Sequence, residues 1–210
     1  MTLTASTGGQ PELSTRYSAS VMNTFGPPKR IFVRGERVHL WDADGNRYLD
    51  LLAGLAVNSL GHAHPQVIGA ISAQLSTLGH VSNFFATPTQ IALAERLDRL
   101  VTVNAPDLPA RVFFTNSGTE SVEACLKMSM LATGRKPFVG TIGAFHGKTL
   151  GALGGTSKAI FREPFLPLLH WSHVPFGDVD SLAMLMKACD FSGDRVAAVV
   201  LEPIQGEGGI

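Results

Sequence analysis

Short apolar runs come first along the chain, and helical patterns follow them. In residues 30–52 the apolar runs are brief, and Asp44-Gly45 separates two of them, which predicts short strands and a hairpin. A helical pattern begins at Pro65, a residue suited to a first helical turn, and Gly79 predicts its end. A second helix is predicted from about Thr87-Pro88, because apolar residues recur on one face: Ile91, Leu93, Ala94, Leu97 and Leu100.

Strand and helix patterns alternate from about residue 110 onward. Residues 112–115 and 138–142 are predicted strands, and residues 120–132 and 180–189 are predicted helices. Residues 196–201, VAAVVL, are apolar throughout, as in a strand covered on both faces. This alternation is typical of an α/β fold with a mostly parallel sheet, in which ligands bind beyond the carboxyl ends of the strands.

Composition and charge narrow the class of protein. The 210 residues are 45% hydrophobic and 16% charged, as expected for a globular protein with a sizeable core. Because 17 basic residues balance 17 acidic ones, the charge favours neither a nucleic acid nor an anionic membrane as partner. The N-terminus is polar, and no apolar run is long enough to span a bilayer. We therefore expect a cytoplasmic protein.

The cysteines and histidines give little support for a metal site. Cys125 and Cys189 lie far apart and belong to no CxxC pair, which argues against a zinc knuckle and a disulfide framework. His62 and His64 have no third ligand nearby, so a loop role is the simpler interpretation. We expect no bound metal.

The stretch RVFFTNSGTESVEACLK, residues 111–127, places a Ser-Gly-Thr hinge between a predicted strand and a predicted helix. Gly118 allows a tight turn, and the free amides of a helix start attract phosphate or carboxylate, with Ser117 and Thr119 as further donors. Ser117 and Glu120 also fit a capping box that needs no ligand. The pattern by itself favours the plain cap, and both interpretations stay open at this point.

Two further loops carry polar and aromatic residues at strand ends. In GAFHGKTLGAL, Phe145 offers a ring for stacking, His146 a hydrogen bond or proton transfer, and Lys148 a partner for an anion. In LEPIQGEGG, Glu202 stands just past the predicted strand at residues 196–201. Each motif also has a plain structural explanation, since Phe145 could be a core residue and Glu202 an ordinary strand-terminal acid.

Together these motifs closely resemble the class III aminotransferases, which use pyridoxal 5′-phosphate (PLP). The resemblance covers residues 17–210 and keeps the order of five motifs: WDADGNRYLDLLAGLAVNSLGHAHP, FFTNSGTESVEACLK, GAFHGKTLGAL, HVPFGDVD and LEPIQGEGG. It implies the fold type I of PLP-dependent transferases, similar to aspartate aminotransferase. The chain would then carry an N-terminal small-domain segment and a truncated large domain with a mostly parallel sheet.

The resemblance also implies roles for individual residues. Ser117, Gly118 and Thr119 match the family's phosphate cup, and Phe145 matches the ring that stacks on the pyridine, with His146 beside it. Glu202 matches a carboxylate near the cofactor. Lys148 stands where acetylornithine-specific members have an arginine for the substrate carboxylate, and this exchange replaces a bidentate fork by a point charge. A family member passes an amino group from its donor to the cofactor and then, in most cases, to 2-oxoglutarate.

The two halves of the chain resemble members with different donors. NSLGHAHPQV and LGHVSNFFATPTQIALAERL are similar to enzymes that act on N-acetylornithine in arginine biosynthesis. SGTESVEA and FHGK are similar to putrescine aminotransferases, whose donor has no carboxylate. We expect N-acetylornithine as the donor, with putrescine or another ω-amine as the alternative.

The family's catalytic Schiff-base lysine is expected downstream of Ile210, so no catalytic residue is assigned within this chain. We expect a flexible leader at 1–16, a small-domain segment at 17–60 and an incomplete large domain at 61–210. The full-length protein would be a homodimer, and this chain would be inactive alone. An alternative of another class is a non-catalytic fragment that binds PLP or phosphate weakly.

Overall fold

The computed structural model describes residues 8–108 and 110–210. The chain divides into two compact units, Met1–Ala92 and Leu93–Ile210. This boundary differs from the division at 16 and 60 expected from the sequence, and that division stays a prediction. Residues 1–7 of the expected leader lie outside the described residues, whereas residues 10–16 belong to a helix. None of the helices in the described ranges combines the length and the apolar character needed to cross a membrane.

The first unit contains a helix and an antiparallel sheet. Helix α1 (Gln10–Ser20) has a proline in its first turn. Strands β1 (Phe32–Glu36), β2 (His39–Asp42) and β3 (Arg47–Leu49) form a three-stranded sheet in chain order, both pairs antiparallel. The hairpin predicted at Asp44-Gly45 is confirmed, because Leu40 pairs with Tyr48 across it.

Asp42 organises the turn of this hairpin. Its buried carboxylate accepts hydrogen bonds from Tyr48 Oη (2.7 Å), Asn46 N (2.8 Å), Asn46 Nδ2 (3.1 Å) and Asp44 N (3.1 Å). Burial raises the pKa of Asp42, but these hydrogen bonds outweigh that effect and leave the pKa below its usual value. The Asp42 carboxylate therefore stabilises the turn that Asp44-Gly45 predicted.

A short turn and two helices complete this part of the chain. The turn α2 (Ala53–Ala56) is unusual, because all four residues have positive φ. Helices α3 (Pro65–Thr77) and α4 (Pro88–Val101) confirm the two predicted helices, and the unit boundary falls within α4. Both ring nitrogens of His62 are engaged, one 2.8 Å from Asp50 Oδ2 and the other 3.2 Å from Asn58 Nδ2, which agrees with a loop role.

The second unit is an α/β layer structure. Its elements are α5 (Gly118–Thr133), β4 (Phe138–Thr141), α6 (Leu150–Gly155), α7 (Ala159–Arg162), a 3₁₀ turn (Glu163–Phe165), β5 (Trp171–Val174), α8 (Val179–Ser192) and β6 (Ala198–Val199). The sheet order is β5-β4-β6, and β4 runs parallel to both neighbours. The predicted α/β fold with a parallel sheet is confirmed.

Two predicted strands differ from the structure. Residues 112–115 form no strand, and Phe113 is 71% exposed instead of buried. A strand needs a hydrogen-bonded neighbour, and the described residues supply none here. Residues 196–201 contribute only the two residues of β6, and Leu201 is exposed, so the expectation of full coverage on both faces is wrong for this structure.

Strand β4 lies at the centre of the core, and all four of its residues are buried. Val139 packs with Val174 and Val196, and α8 covers this cluster through Leu182, Leu185, Met186 and Cys189. On β5, the Trp171 ring packs against glycines. A Cβ on Gly154 would lie 2.3 Å from this ring, and one on Gly155 would lie 2.8 Å from it. The small residues of α6 therefore allow the helix to approach the sheet closely.

Candidate functional site

The start of helix α5 is capped by two side chains, one from the N-cap residue and one from the first turn. Ser117 is the N-cap, and its Oγ accepts a hydrogen bond from Glu120 N at 3.3 Å, as the capping box predicts. The Glu120 carboxylate accepts from the N–H of Asn116 (2.6 Å), one residue earlier than in the standard box. These contacts fix the turn that the sequence identified as the Ser-Gly-Thr hinge.

Two backbone donors at this helix start take no part in the cap. Among the described residues, the backbone N–H groups of Gly118 and Thr119 meet no acceptor. A Cβ added at Gly118 would have no heavy atom within 4 Å, so the space beside this backbone is open. Helix α5 has 16 residues, and its dipole adds positive potential at this end. The arrangement can therefore accept an anionic group such as phosphate.

A second loop, residues 143–149, contacts this helix start directly. Thr119 Oγ1 lies 2.8 Å from Thr149 Oγ1. Gly147 has φ +126° and approaches Thr119 so closely that an added Cβ would lie 2.2 Å from Thr119 Oγ1. Only glycine fits both the backbone conformation and this contact. The tertiary structure thus joins two motifs that are about 30 residues apart in sequence.

Phe145 and Glu202 are also brought together. Glu202 Oε2 accepts a hydrogen bond from Phe145 N at 3.1 Å, which joins the loop after β4 to the segment after β6. The Phe145 side chain is 37% exposed, and its ring meets Phe161 edge-on at 6.4 Å between centroids. Phe145 is therefore partly accessible, and the alternative of a core residue is wrong for this structure.

His146 belongs to the same loop, but it is buried, with 7% of its surface exposed. Its backbone N–H donates to Thr156 Oγ1 (3.0 Å), and that hydroxyl donates to Gly147 O (2.8 Å). Burial lowers the pKa of His146, although nearby Glu202 opposes this shift. Within the described parts of the chain its Nε2 atom has no hydrogen-bond partner. Burial therefore favours the neutral ring, and one of its nitrogens is left unpaired within the described residues.

Lys148 lies beside aromatic and charged neighbours. Its ammonium nitrogen is 4.7 Å from the centre of the Phe161 ring, a cation–π distance. Lys158 forms an ion pair with Glu207, and this contact is the main reason why the pKa of Glu207 is lowered, with a smaller contribution from Lys148. Lys148 therefore belongs to a mixed-charge group at the edge of the loop.

The sequence motifs did not assign several residues that shape this site. Glu123 on α5 contacts the start of α6, and Thr156 holds the backbone of the 143–149 loop. Gln205 is fully buried, donates to Thr141 Oγ1 (2.9 Å) and Ile142 O (3.0 Å), and fills the space beside Gly143. Their partners lie between 9 and 64 residues away, which is why a linear motif could not reveal them.

No group of three or more His, Cys, Asp or Glu side chains in residues 8–108 and 110–210 is arranged to hold a metal ion. The donors described above are instead suited to an organic anion. The six proposed cofactor residues, which are Ser117, Gly118, Thr119, Phe145, His146 and Glu202, all belong to the second unit.

The sequence matches known proteins over most of its length. Residues 21–210 match the family model described as Aminotransferase class-III. An acetylornithine aminotransferase from Mycolicibacterium smegmatis is 50% identical over 199 residues, which are 94% of this chain and 48% of that protein. One from Streptomyces clavuligerus is 46% identical over 200 residues, 95% of this chain and 47% of that protein. The chain spans about half the length of these curated relatives.

Solved structures agree with the sequence matches. A taurine:2-oxoglutarate aminotransferase from Bifidobacterium kashiwanohense, in complex with PLP and glutamate, has a TM-score of 0.78 at 28% identity, covering 94% of this chain and 48% of that one. An (S)-enantioselective omega-transaminase from Thermomicrobium roseum has a TM-score of 0.81 at 28% identity, covering 97% of this chain and 51% of that one.

Proposed function

Because this chain belongs to the class III aminotransferase family, we propose that it is the cofactor-binding part of a PLP-dependent enzyme that transfers an amino group to a keto acid. The observation that carries the proposal is the contact between the α5 start and the 143–149 loop at Thr119 and Gly147. This contact supports the proposal, because it joins the backbone N–H donors of the α5 start to the loop that carries Phe145.

The residues present fit the cofactor. The N–H groups of Gly118 and Thr119, together with the Ser117 hydroxyl, supply donors for a phosphate. The open space at Gly118 admits close approach of that phosphate to the backbone. His146 Nε2 is a buried polar atom that has no protein partner within the described residues. These three features favour a ligand that is anionic at one end and polar and planar at the other.

Each residue has a defined task in this proposal. Ser117, Gly118 and Thr119 hold the phosphate, and Phe145 packs its ring on the planar part of the cofactor. His146 stays neutral and offers a hydrogen bond without adding charge. Glu202 holds the Phe145 backbone through its carboxylate. When bound, PLP supplies the electron sink that transamination requires.

N-acetylornithine is the proposed amino donor, and 2-oxoglutarate the proposed acceptor. The acetylornithine aminotransferases that match at 46–50% identity support this choice. The alternative is a diamine such as putrescine, and one observation favours it. The Lys148 ammonium lies over the Phe161 ring, where it offers a carboxylate a single charge in place of a guanidinium fork. A homodimer and a cytoplasmic location stay predictions.

The test uses the full-length protein that carries this chain. Absorbance titration with PLP is expected to show one stoichiometric site, and amino transfer to 2-oxoglutarate is expected to be faster from N-acetylornithine than from putrescine. Lys148→Arg should increase the preference for N-acetylornithine, because arginine binds a carboxylate with two hydrogen bonds. Lys187→Arg on the exposed face of α8 is the matched control. Absence of PLP binding contradicts the proposal, and an unchanged donor ratio contradicts the role of Lys148.

A further inference from the structure

Glu123 lies one turn into helix α5, yet its carboxylate serves another helix. Its Oε1 atom accepts hydrogen bonds from Thr149 Oγ1 (2.5 Å), Gly151 N (2.9 Å) and Ala152 N (3.1 Å). Thr149 is the N-cap of α6, but its own side chain makes no capping hydrogen bond. Glu123 therefore caps α6 from outside that helix and satisfies two of its first-turn amides.

We propose that Glu123 is a positioning residue for the cofactor: it fixes the 143–149 loop against the phosphate-binding start of α5. The inference rests on the proposed function and goes beyond it, since Glu123 itself is assigned no contact with PLP. One carboxylate oxygen joins the α5 side of the site to the α6 side. The Phe145 and His146 side chains belong to the loop whose end is anchored in this way.

The direction of the hydrogen bonds made by Thr149 connects Glu123 to Thr119 as well. An ionised carboxylate can only accept, so Thr149 must donate its proton to Glu123. The Thr149 oxygen is then free to accept from the Thr119 hydroxyl, 2.8 Å away. Glu123 thus orients Thr119 through Thr149, and it holds the phosphate-binding residue in register with the ring-binding loop.

The shortness of α6 makes this anchor necessary. The helix has six residues, and all of them except Leu150 are buried. An isolated helix of this length is unstable, so its start depends on tertiary contacts. Removing the Glu123 carboxylate would leave the Gly151 and Ala152 amides unpaired in a partly buried place. The expected result is movement of the loop relative to Thr119.

The negative charge of Glu123 should lower the affinity for a phosphate, whereas its positioning role should raise the affinity for PLP. A carboxylate near a phosphate site repels the phosphate, and its removal would strengthen anion binding if this electrostatic effect dominated. The positioning role predicts the reverse for PLP, because PLP contacts both the cup and the loop. Inorganic phosphate contacts the cup alone, so it should be nearly insensitive to the position of the loop. The two ligands therefore separate positioning from electrostatics.

The experiment measures PLP affinity by fluorescence titration and inorganic phosphate affinity by competition, in the full-length protein. Glu123→Ala is expected to weaken PLP binding by about tenfold, which corresponds to the loss of about one hydrogen bond to a charged acceptor. Inorganic phosphate should change by less than about threefold on the same scale. Glu123→Gln should restore most of the PLP affinity, because an amide oxygen can still accept two hydrogen bonds. Lys127→Ala, exposed on the same helix, is the control.

A second variant keeps the proposal testable if Glu123→Ala does not fold. Thr149→Val removes the link to Thr119 but leaves the Gly151 and Ala152 amides on Glu123, and it should also weaken PLP more than phosphate. Three results in these variants would overturn the positioning role. They are equal losses of affinity for both ligands, tighter binding of either ligand, and unchanged PLP affinity. Failure of the wild-type protein to bind PLP would instead contradict the proposed function.

Discussion

Gly147 and Thr119 are in direct contact, although 27 residues separate them in sequence. A Cβ on Gly147 would lie 2.2 Å from Thr119 Oγ1 and 2.5 Å from Thr119 Cβ. Gly147 also has φ +126°, a conformation that other residues rarely adopt. This contact determines how close the 143–149 loop lies to the start of α5, where the proposed phosphate site is.

Gly147→Ala is therefore expected to lower both stability and PLP affinity. The positive φ alone should cost about 1–3 kcal/mol, and the overlap with Thr119 should move the loop in addition. Thermal unfolding and PLP titration of the full-length protein measure the two effects. Gly134→Ala is the matched control, because Gly134 has φ +69° but nothing within 4 Å of an added Cβ. Equal PLP affinity in the two variants would show that the contact has no part in binding.

Ser117→Ala tests the phosphate cup. Loss of the N-cap should reduce the free energy of unfolding by about 1 kcal/mol, and loss of the hydroxyl donor should weaken PLP binding. Pyridoxal, which lacks the phosphate, should bind nearly as it does to the wild type. Asp178→Ala removes the equivalent cap of α8, where Asp178 accepts from Ser181 N at 2.9 Å. It should lose similar stability without a change in the ratio of PLP to pyridoxal affinity.

One buried histidine, His146, and one half-buried histidine, His173, predict a dependence of stability on pH. Burial is the main cause that lowers the pKa of both His146 and His173. A folded-state pKa below the unfolded value means that the unfolded chain binds protons first as the pH falls. Stability should therefore be full above about pH 6.5, the ordinary histidine pKa, and decline below it.

Urea unfolding of the wild type and of His146→Gln between pH 8 and pH 5 measures this effect. The variant should show a shallower decline, because one of the two shifted groups is gone. His80→Gln is a suitable control, since His80 is exposed and outside the helices and strands. An identical decline in His146→Gln and the wild type would contradict the assignment.

Asp42 should determine the acid stability of the hairpin in the first unit. Its hydrogen bonds hold its pKa below the usual value in spite of burial, so its contribution is present above about pH 4. That contribution disappears as the pH falls through the folded-state pKa. Asp42→Asn should be less stable than the wild type at pH 7, and the difference should shrink toward pH 3. Urea unfolding followed by circular dichroism at each pH measures this difference. A difference that grows with acidity would exclude this role.

Sequence patterns were sufficient to predict the elements that depend only on residues close together in the chain. The Asp44-Gly45 hairpin, the proline start of α3 and the Ser117 cap of α5 each depend on residues within a few positions of one another. The chain pattern also identified β4, α8 and the parallel sheet. Residues 112–115 have the apolar pattern of a strand but form none, because strand formation depends on a pairing partner that the pattern does not contain.

The sequence by itself determined the residue types of the candidate site, the capped helix start and the family to which its motifs belong. Tertiary structure alone decided that Gly147 touches Thr119, that Glu202 holds Phe145 and that Glu123 caps a helix other than its own. The physical reason is the range of the interactions. Caps and turns are made between neighbours in the chain, whereas these contacts join residues 28 to 57 positions apart, which only the packing of α5 and α6 around the sheet brings together.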